Sequence, residues 1–171
     1  MTDNLLFYDL ETTGLPDWHR PSDDPAQPHI VQLTALLTTA VGDKRASIDL
    51  LIAPKGWTIP DDVVKIHGID TAFALAAGVP AGPAIDLFLA MWRRARLRIA
   101  HNESFDARML RIEIMRLKGR PPADQWKEAP AACTMRMAAP VMNLAPTDAM
   151  LATNRHGPKP PSLAEAHQFF L

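Results

Sequence analysis

The chain has 171 residues, of which 47% are hydrophobic and 22% charged, a composition typical of one globular domain with a buried core. The formal net charge of −1 does not predict a basic nucleic-acid surface, although clustered carboxylates would offset basic residues elsewhere. No run of about 18 uncharged apolar residues predicts a membrane span, and the start Met1-Thr2-Asp3-Asn4 lacks the basic residues of a secretory signal. The single cysteine, Cys133, excludes an intrachain disulfide and predicts a reducing, cytoplasmic environment.

The first third of the chain predicts three strands and one long loop. Apolar runs with the length of strands cover residues 5–10, 29–39 and 46–53. Gly14 and four prolines within residues 14–28 exclude regular structure and predict a surface loop. A turn at Gly42-Asp43 joins the second strand to the third. We therefore expect an antiparallel meander at one side of a sheet.

The rest of the chain predicts helices around one more strand. Helix signals mark residues 60–67, 83–95, 104–118 and 134–139, and a short strand covers residues 97–100. Ser104 is the expected N-cap of the 104–118 helix, which Gly119 and a following proline pair would close. Ser162 and Glu165 form a capping box, and their helix runs to the end of the chain. This order of elements predicts an α/β fold.

Two acidic residues stand at the end of the first predicted strand, in the segment Asp9-Leu10-Glu11-Thr12-Thr13-Gly14. Side chains two positions apart on a strand point to the same face, so Asp9 and Glu11 should project together. Two carboxylates on one face favour a bound cation, and hard oxygen ligands suit Mg²⁺ or Mn²⁺. The alternative is a solvated strand end, because an isolated Asp-x-Glu is common.

A third acidic residue, Asp106, follows the fourth predicted strand, in the first turn of the next helix. If that strand lies beside the first, Asp106 can reach the same cation site. The alternative is a first-turn aspartate that only interacts with the helix dipole. Neither segment decides between these interpretations by itself.

Together the two segments resemble the DnaQ-like 3′→5′ exonucleases, the superfamily named DEDD after its four acidic metal ligands. Its first motif is matched by Phe7-Tyr8-Asp9-Leu10-Glu11-Thr12-Thr13-Gly14-Leu15, and its second by His101-Asn102-Glu103-Ser104-Phe105-Asp106. Between them, Ile66-His67-Gly68-Ile69 matches a segment near the terminal nucleotide, and Ser162-Leu163 matches the start of the helix before the third motif. The resemblance implies a ribonuclease-H-like α/β fold, with a mixed sheet of three antiparallel and then parallel strands flanked by helices.

The resemblance also implies a two-metal hydrolysis of phosphodiester bonds at 3′ ends, with release of nucleoside monophosphates. The catalytic residues and ligands of two Mg²⁺ or Mn²⁺ ions would be Asp9, Glu11 and Asp106. The residues expected to bind the terminal nucleotide are Thr12, Thr13, Gly14, Leu15, Asp62, His67, Asn102 and Phe105. Alternatively, His67 only caps a helix end and Phe105 only packs in the core.

The implied partner is a single-stranded or frayed 3′ end of DNA or RNA. A DNA polymerase or replication protein stays open as a second partner, and a membrane is not expected. Proofreading, trimming of single-stranded DNA in repair, and RNA end processing cannot be separated on these residues. The Pro-rich loop and the Met135-Arg136 segment resemble the bacterial exonuclease I branch.

The family's third motif, His-x4-Asp or Tyr-x3-Asp, does not follow the last helix. The spacings His19 to Asp24 and His101 to Asp106 do not replace it, because the first lies in the Pro-rich loop and the second is the second motif itself. We expect one exonuclease domain over residues 1–171, truncated at its C-terminus and weakly active or inactive. The alternative is a catalytically silent nucleic-acid-binding or polymerase-associated module of the same fold.

Two groups of basic residues are expected to be solvated. Residues 92–98 contain four arginines beside Trp92, a pattern more typical of a helix end than of a phosphate-binding surface. The helix predicted over residues 104–118 carries Arg108, Arg111, Arg116 and Lys118. We expect these four side chains to face water.

Overall fold

The computed structural model describes residues 3–171. Met1 and Thr2, two of the N-terminal residues from which no secretory signal was predicted, lie outside this range. The strands are β1 (Asn4–Thr12), β2 (Ile30–Thr39), β3 (Lys44–Leu51), β4 (Ala95–Ala100) and β5 (Ala131–Cys133). The helices are α1 (Asp61–His67), α2 (Thr71–Ala77), α3 (Ala81–Trp92), α4 (Glu103–Lys118), α5 (Arg120–Glu128), α6 (Thr134–Met142), α7 (Asp148–Ala152) and α8 (Leu163–Phe170).

The strands form one five-stranded mixed sheet in the order β3-β2-β1-β4-β5. β1 pairs with β2 and β2 with β3 in antiparallel orientation, whereas β4 is parallel to both β1 and β5. The predicted α/β sheet, antiparallel first and parallel afterwards, is confirmed. β1 therefore lies in the centre and is paired along both edges.

The alternation of side chains along β1 separates its core face from its outer face. Leu6, Tyr8 and Leu10 are buried, whereas Phe7 and Asp9 between them are exposed. The parallel pairing with β4 ends at Phe7, opposite Ile99, so residues 8–12 extend beyond it. This end of β1 is open on the β4 side, where the chain turns into α4.

The core is built on the inner face of the sheet around an aromatic cluster. Trp126 of α5 is fully buried, and its ring lies edge-on to Tyr8, Phe88 and Trp92 at centroid distances of 5.5, 5.5 and 5.3 Å. Its indole N–H donates a hydrogen bond of 2.9 Å to the carbonyl of Ala107. Trp126 therefore joins α5 to α3, α4 and β1.

Several element boundaries differ from the predicted ones. α3 covers residues 81–92 instead of 83–95, and α4 begins at Glu103 with Asn102 in the cap position, so Ser104 is not the N-cap. α4 ends at Lys118 with Gly119 as its C-cap, as predicted, but the proline pair that follows begins the unpredicted helix α5, because proline fits the first helical turn. α2, α5, α7 and β5 were not predicted, since they are short or lack apolar periodicity.

The expectation that the arginines of residues 92–98 face water is wrong for Arg98. This residue lies on β4 and is only 5% exposed. Its Nε atom is 2.8 Å from Oε1 of Glu103, and its guanidinium carbon lies 4.1 Å from the centroid of the Trp126 ring. A buried arginine needs such partners, because an unpaired charge in the core is strongly unfavourable.

The expectation that the arginines of α4 only face water is also wrong, because these side chains donate hydrogen bonds to the loop of residues 13–29. Arg108 and Arg111 both donate hydrogen bonds to the buried hydroxyl of Ser22, at 2.7 and 2.5 Å. Arg116 donates to the carbonyl of Pro28 at 2.7 Å and to that of Gln27. The predicted absence of regular structure in this loop is confirmed, but polar side chains fix its path.

Between Asp3 and Leu171, no helix combines the length and hydropathy needed to cross a bilayer.

Replacing Trp126 with alanine should destabilise the protein more than any exposed substitution. Removing a large buried ring costs about 3–5 kcal/mol, which corresponds to a fall in Tm of roughly 10 °C for a chain of this length. Thermal unfolding followed by circular dichroism measures the change. The matched control is Trp18→Ala, because Trp18 is 58% exposed and its loss should change stability by less than ~0.5 kcal/mol. Equal shifts in the two variants would contradict the proposed core.

Candidate active site

Asp9 and Glu11 lie on the outer face of β1, in the part that extends beyond the pairing with β4. Asp9 is exposed and Glu11 is half-buried. The pKa of Glu11 is raised, first by partial burial and then by the negative charge of Asp9. Although the residue as a whole is exposed, partial desolvation of the Asp9 carboxylate raises its pKa, and a positive charge on His101 opposes this shift.

Asp106 lies in the first turn of α4 and is almost fully buried. Burial and the nearby charge of Asp9 raise its pKa from 3.8 to about 8, whereas the backbone amides of Asp106 and Leu10 lower it. The Asp106 carboxylate thus lies beside the backbone of β1 and within electrostatic range of Asp9. The fold brings the three acidic residues from two separate segments into one region.

The chemistry of this region fits hard divalent cations. Asp9 raises the pKa of both other carboxylates, and a cation between them would remove this repulsion. Within residues 3–171, no three Asp, Glu, His or Cys side chains converge on one point in a way that could hold a metal ion. The assignment of these acids as metal ligands stays a prediction.

Of the two predicted site residues on α1, His67 lies near the carboxylates. A positive charge on His67 lowers the pKa of Glu11. In its neutral form, the Nδ1 atom accepts a hydrogen bond of 3.1 Å from the amide of Ile69. The other ring nitrogen, Nε2, is buried and has no hydrogen-bond partner among the described residues. Asp62 is exposed in the first turn of α1, and no hydrogen bond or ion pair within residues 3–171 joins it to the site.

The turn after β1 is closed by its own side chains and by the end of the Pro-rich loop. The Thr12 hydroxyl donates to the carbonyl of Gly14 at 2.9 Å. The Thr13 amide donates to the His29 carbonyl, and the His29 amide donates to the Thr13 hydroxyl, both at 2.9 Å. Leu15 then projects into solvent with 82% of its surface exposed. The predicted substrate-binding turn is therefore preformed.

Asn102 and Phe105 lie at the junction of β4 and α4. Asn102 has a φ of 62° and a ψ of 44°, a left-handed conformation that asparagine tolerates better than most residues. Its side chain is exposed and makes no capping hydrogen bond, while its carbonyl accepts from the Phe105 amide at 2.9 Å. Phe105 is half-buried against the main core, so core packing accounts for part of its surface.

His101 was not among the predicted site residues, but its side chain joins the β4–α4 junction to the C-terminal helices. Its Nδ1 atom is 3.0 Å from the Thr134 hydroxyl, and its Nε2 atom is 2.9 Å from the carbonyl of Pro161. Thr134 begins α6, and Pro161 directly precedes the capping box of α8. The second motif contains His101, but neither contact has a local sequence signal, because the partners lie 33 and 60 residues away.

A family model described as exonuclease, of the RNase T type, matches residues 6–157. The match includes Asp9, Glu11 and Asp106 and covers most of the chain. The chain belongs to this exonuclease family. The predicted resemblance to DnaQ-like exonucleases is confirmed, and enzymes of this superfamily generally use divalent metals. No curated protein matches the chain in sequence.

Solved structures of exonuclease I have the same fold as this chain. The Escherichia coli enzyme in complex with a dT13 oligonucleotide superimposes with a TM-score of 0.68 at 19% identity, over 86% of this chain and 31% of the other. An exonuclease I complex with SSB-Ct gives a TM-score of 0.73 at 17% identity, over 98% of this chain and 36% of the other. The chain thus spans about a third of the length of these enzymes. At this identity the comparison shows the fold alone.

The metal-free protein should lose stability as the pH rises from about 4 to about 8, and Asp106 should cause part of this loss. The raised pKa means that the folded state keeps a proton that the unfolded state has already released, so the unfolding free energy falls through this window. Asp106→Asn should remove that contribution, which is on the order of a few kcal/mol at pH 8. Thermal unfolding in chelator at several pH values tests this, with exposed Asp43→Asn as the control. Parallel pH profiles for wild type and Asp106→Asn would contradict it.

Proposed function

We propose that the chain is a metal-dependent 3′→5′ exonuclease that hydrolyses phosphodiester bonds at 3′ ends and releases nucleoside monophosphates. The observation that carries this proposal is the electrostatic coupling of Asp9 to Glu11 and Asp106 in a member of an exonuclease family. The charge of Asp9 raises the pKa of both other carboxyl groups, so the three acids lie within electrostatic range of Asp9. A bound divalent cation would relieve this repulsion.

Two Mg²⁺ or Mn²⁺ ions bound here would stabilise the charge that develops on the attacking and leaving oxygens. Asp9 would be shared between the ions, Glu11 would complete one site and Asp106 the other. The preformed turn of residues 12–15 would hold the terminal nucleotide, with Leu15 beside its base. His67 has a free Nε2 atom near Glu11, which suits a contact with the terminal sugar or phosphate. Asn102 and Phe105 would contact the terminal nucleotide from the β4–α4 junction. Asp62, which is exposed on α1, would contact it only at the solvent-exposed edge of the site.

The substrate we propose is a single-stranded or frayed 3′ end, and we favour DNA. Exonuclease I has been crystallised with a dT13 oligonucleotide and with SSB-Ct, so a single-stranded DNA-binding protein is a candidate partner for this chain too. A DNA polymerase or other replication protein remains the second candidate. We propose that residues 3–171 work as one domain and that they act in the cytoplasm.

A catalytically silent module of the same fold is the second candidate function. It is favoured by the observation that no three metal-ligating side chains converge on one point within residues 3–171. Such a module would bind a 3′ end without metal and would not shorten it.

Asp9→Ala should abolish both Mn²⁺ binding and hydrolysis. Changes beyond the direct ligands of a metal cost about 10–100-fold in affinity or activity, so loss of a shared ligand should cost at least ~100-fold. Calorimetric titration with Mn²⁺ measures binding. Gel analysis of a 5′-labelled single strand should show shortening one nucleotide at a time, and a 3′-label should appear as mononucleotide at once.

The matched control is Asp49→Ala, an exposed strand aspartate on β3 that accepts hydrogen bonds from Gln32 and Thr34. It should leave Mn²⁺ binding and hydrolysis unchanged. Hydrolysis that persists in Asp9→Ala, or that is unaffected by chelator, would refute the metal-dependent mechanism. Metal-independent binding of a 3′ end with no hydrolysis by wild type would instead establish the silent module.

A further inference from the structure

Trp18 is an exposed indole that the site described above does not use. It lies on the loop of residues 13–29, three positions after Leu15, and 58% of its surface is exposed. A single exposed hydrophobic side chain is common on protein surfaces, so the case for a function of Trp18 depends on how its ring is held. The loop that carries it begins directly at the turn proposed to hold the terminal nucleotide.

The part of the loop around Trp18 is closed by one buried side chain. The Gln27 amide group donates to the carbonyls of Asp17, Arg20 and Pro21 at 2.8, 3.3 and 3.2 Å. The side-chain oxygen Oε1 of Gln27 accepts a hydrogen bond of 3.0 Å from the backbone amide of Asp17. Both ends of the segment that contains Trp18 are therefore bound to the same side chain, which is only 2% exposed.

Arg108 fixes the same segment to α4. Its Nη2 atom donates to the carbonyls of Asp17 and Arg20, at 3.4 and 2.6 Å, on either side of Trp18. Its guanidinium carbon lies 5.8 Å from the centroid of the Trp18 ring, within the range of a cation–π contact. Arg108 follows Asp106 by two positions on α4, so Trp18 is held by the helix that carries a proposed catalytic acid.

The surroundings of Trp18 favour a flat ring as its ligand over an extended apolar surface. The neighbouring side chains Asp17, His19 and Arg20 are exposed and polar, and Arg20 forms ion pairs with Asp17 and Asp24 at 3.1 and 3.2 Å. A single indole within a polar rim offers one stacking face. Protein partners usually require a wider apolar centre. A rigid indole also loses little entropy when a base stacks on it.

We propose that Trp18 is a stacking platform for a nucleobase upstream of the 3′-terminal nucleotide. The proposal rests on the proposed function, because it assumes that a single strand enters at residues 12–15. Stacking on an aromatic side chain tolerates every base, so the platform would add affinity without sequence preference. The nucleotide it contacts must lie beyond the one held beside Leu15.

Trp18→Ala should weaken binding of a single-stranded oligonucleotide about tenfold, the lower part of the range measured for one stacked base. Binding is measured by fluorescence anisotropy with 5′-labelled thymidine oligonucleotides of two to ten residues, whose last linkage is a phosphorothioate to slow hydrolysis. The loss should be absent for the shortest oligonucleotides and appear once the strand reaches the platform. Trp18→Phe should keep most of the affinity, whereas Trp18→Leu, which keeps apolar bulk without a ring, should lose it.

Double-mutant cycles with single abasic residues locate the contact. At one upstream position the abasic substitution should weaken wild type about tenfold and have no further effect on Trp18→Ala. The control is Phe73→Ala, since Phe73 on α2 is an aromatic side chain of similar exposure, 52%, outside the proposed path. It should leave every affinity unchanged.

The outcomes separate this proposal from the proposed function. Equal affinities of wild type and Trp18→Ala for all lengths, with 3′ hydrolysis intact, would overturn the platform. Failure of wild type to bind or shorten any 3′ end would overturn the proposed function itself. A length-dependent loss that Trp18→Phe restores and Trp18→Leu does not would support the platform.

Discussion

The fold places the charge of Asp9 close to two other acidic side chains, Glu11 and Asp106, at an electrostatic cost. Asp9 raises the pKa of the other two, and Asp106 pays the additional penalty of burial. Packing must offset this penalty. α4 buries Met109, Leu110, Ile112, Ile114 and Met115. At about 1.5–3 kcal/mol for each fully buried side chain, their packing exceeds a penalty of a few kcal/mol for Asp106.

The same helix organises both sides of the site, because α4 uses two different faces. Its inner face carries Asp106 and the apolar side chains that pack on the sheet. Another face carries Arg108, Arg111 and Arg116, which hold the loop of residues 13–29. The loop begins where β1 ends, so α4 and β1 are joined both through the core and through the loop. Displacement of α4 would therefore disturb the carboxylates and the preformed turn together.

The sequence predicted those features that depend on neighbouring residues. The outward placement of Asp9 and Glu11 follows from the alternation of a strand, and the position of Asp106 follows from the strand-to-helix junction before it. The role of Arg98 could not be predicted in this way, because its partner Trp126 is 28 residues away and belongs to a helix that begins with two prolines. The loop-binding role of the α4 arginines depends on acceptors 86 to 91 residues away, namely the Ser22 hydroxyl and the Asp17 carbonyl. Spacing alone shows that Arg108 and Arg111 share a face, but not what that face contacts.

Buried polar groups connect each segment of the site to a distant part of the chain. Glu103, at the start of α4, accepts hydrogen bonds from Arg98 and from the Tyr8 hydroxyl of β1, at 2.8 and 3.0 Å. His101 joins the same junction to the starts of α6 and α8. Apolar side chains of similar volume would often give equal or greater stability, so stability does not explain these charged contacts well. Their directional geometry provides a better explanation, because hydrogen bonds fix the orientation of the β4–α4 junction, which carries Asp106, as well as its distance from β1.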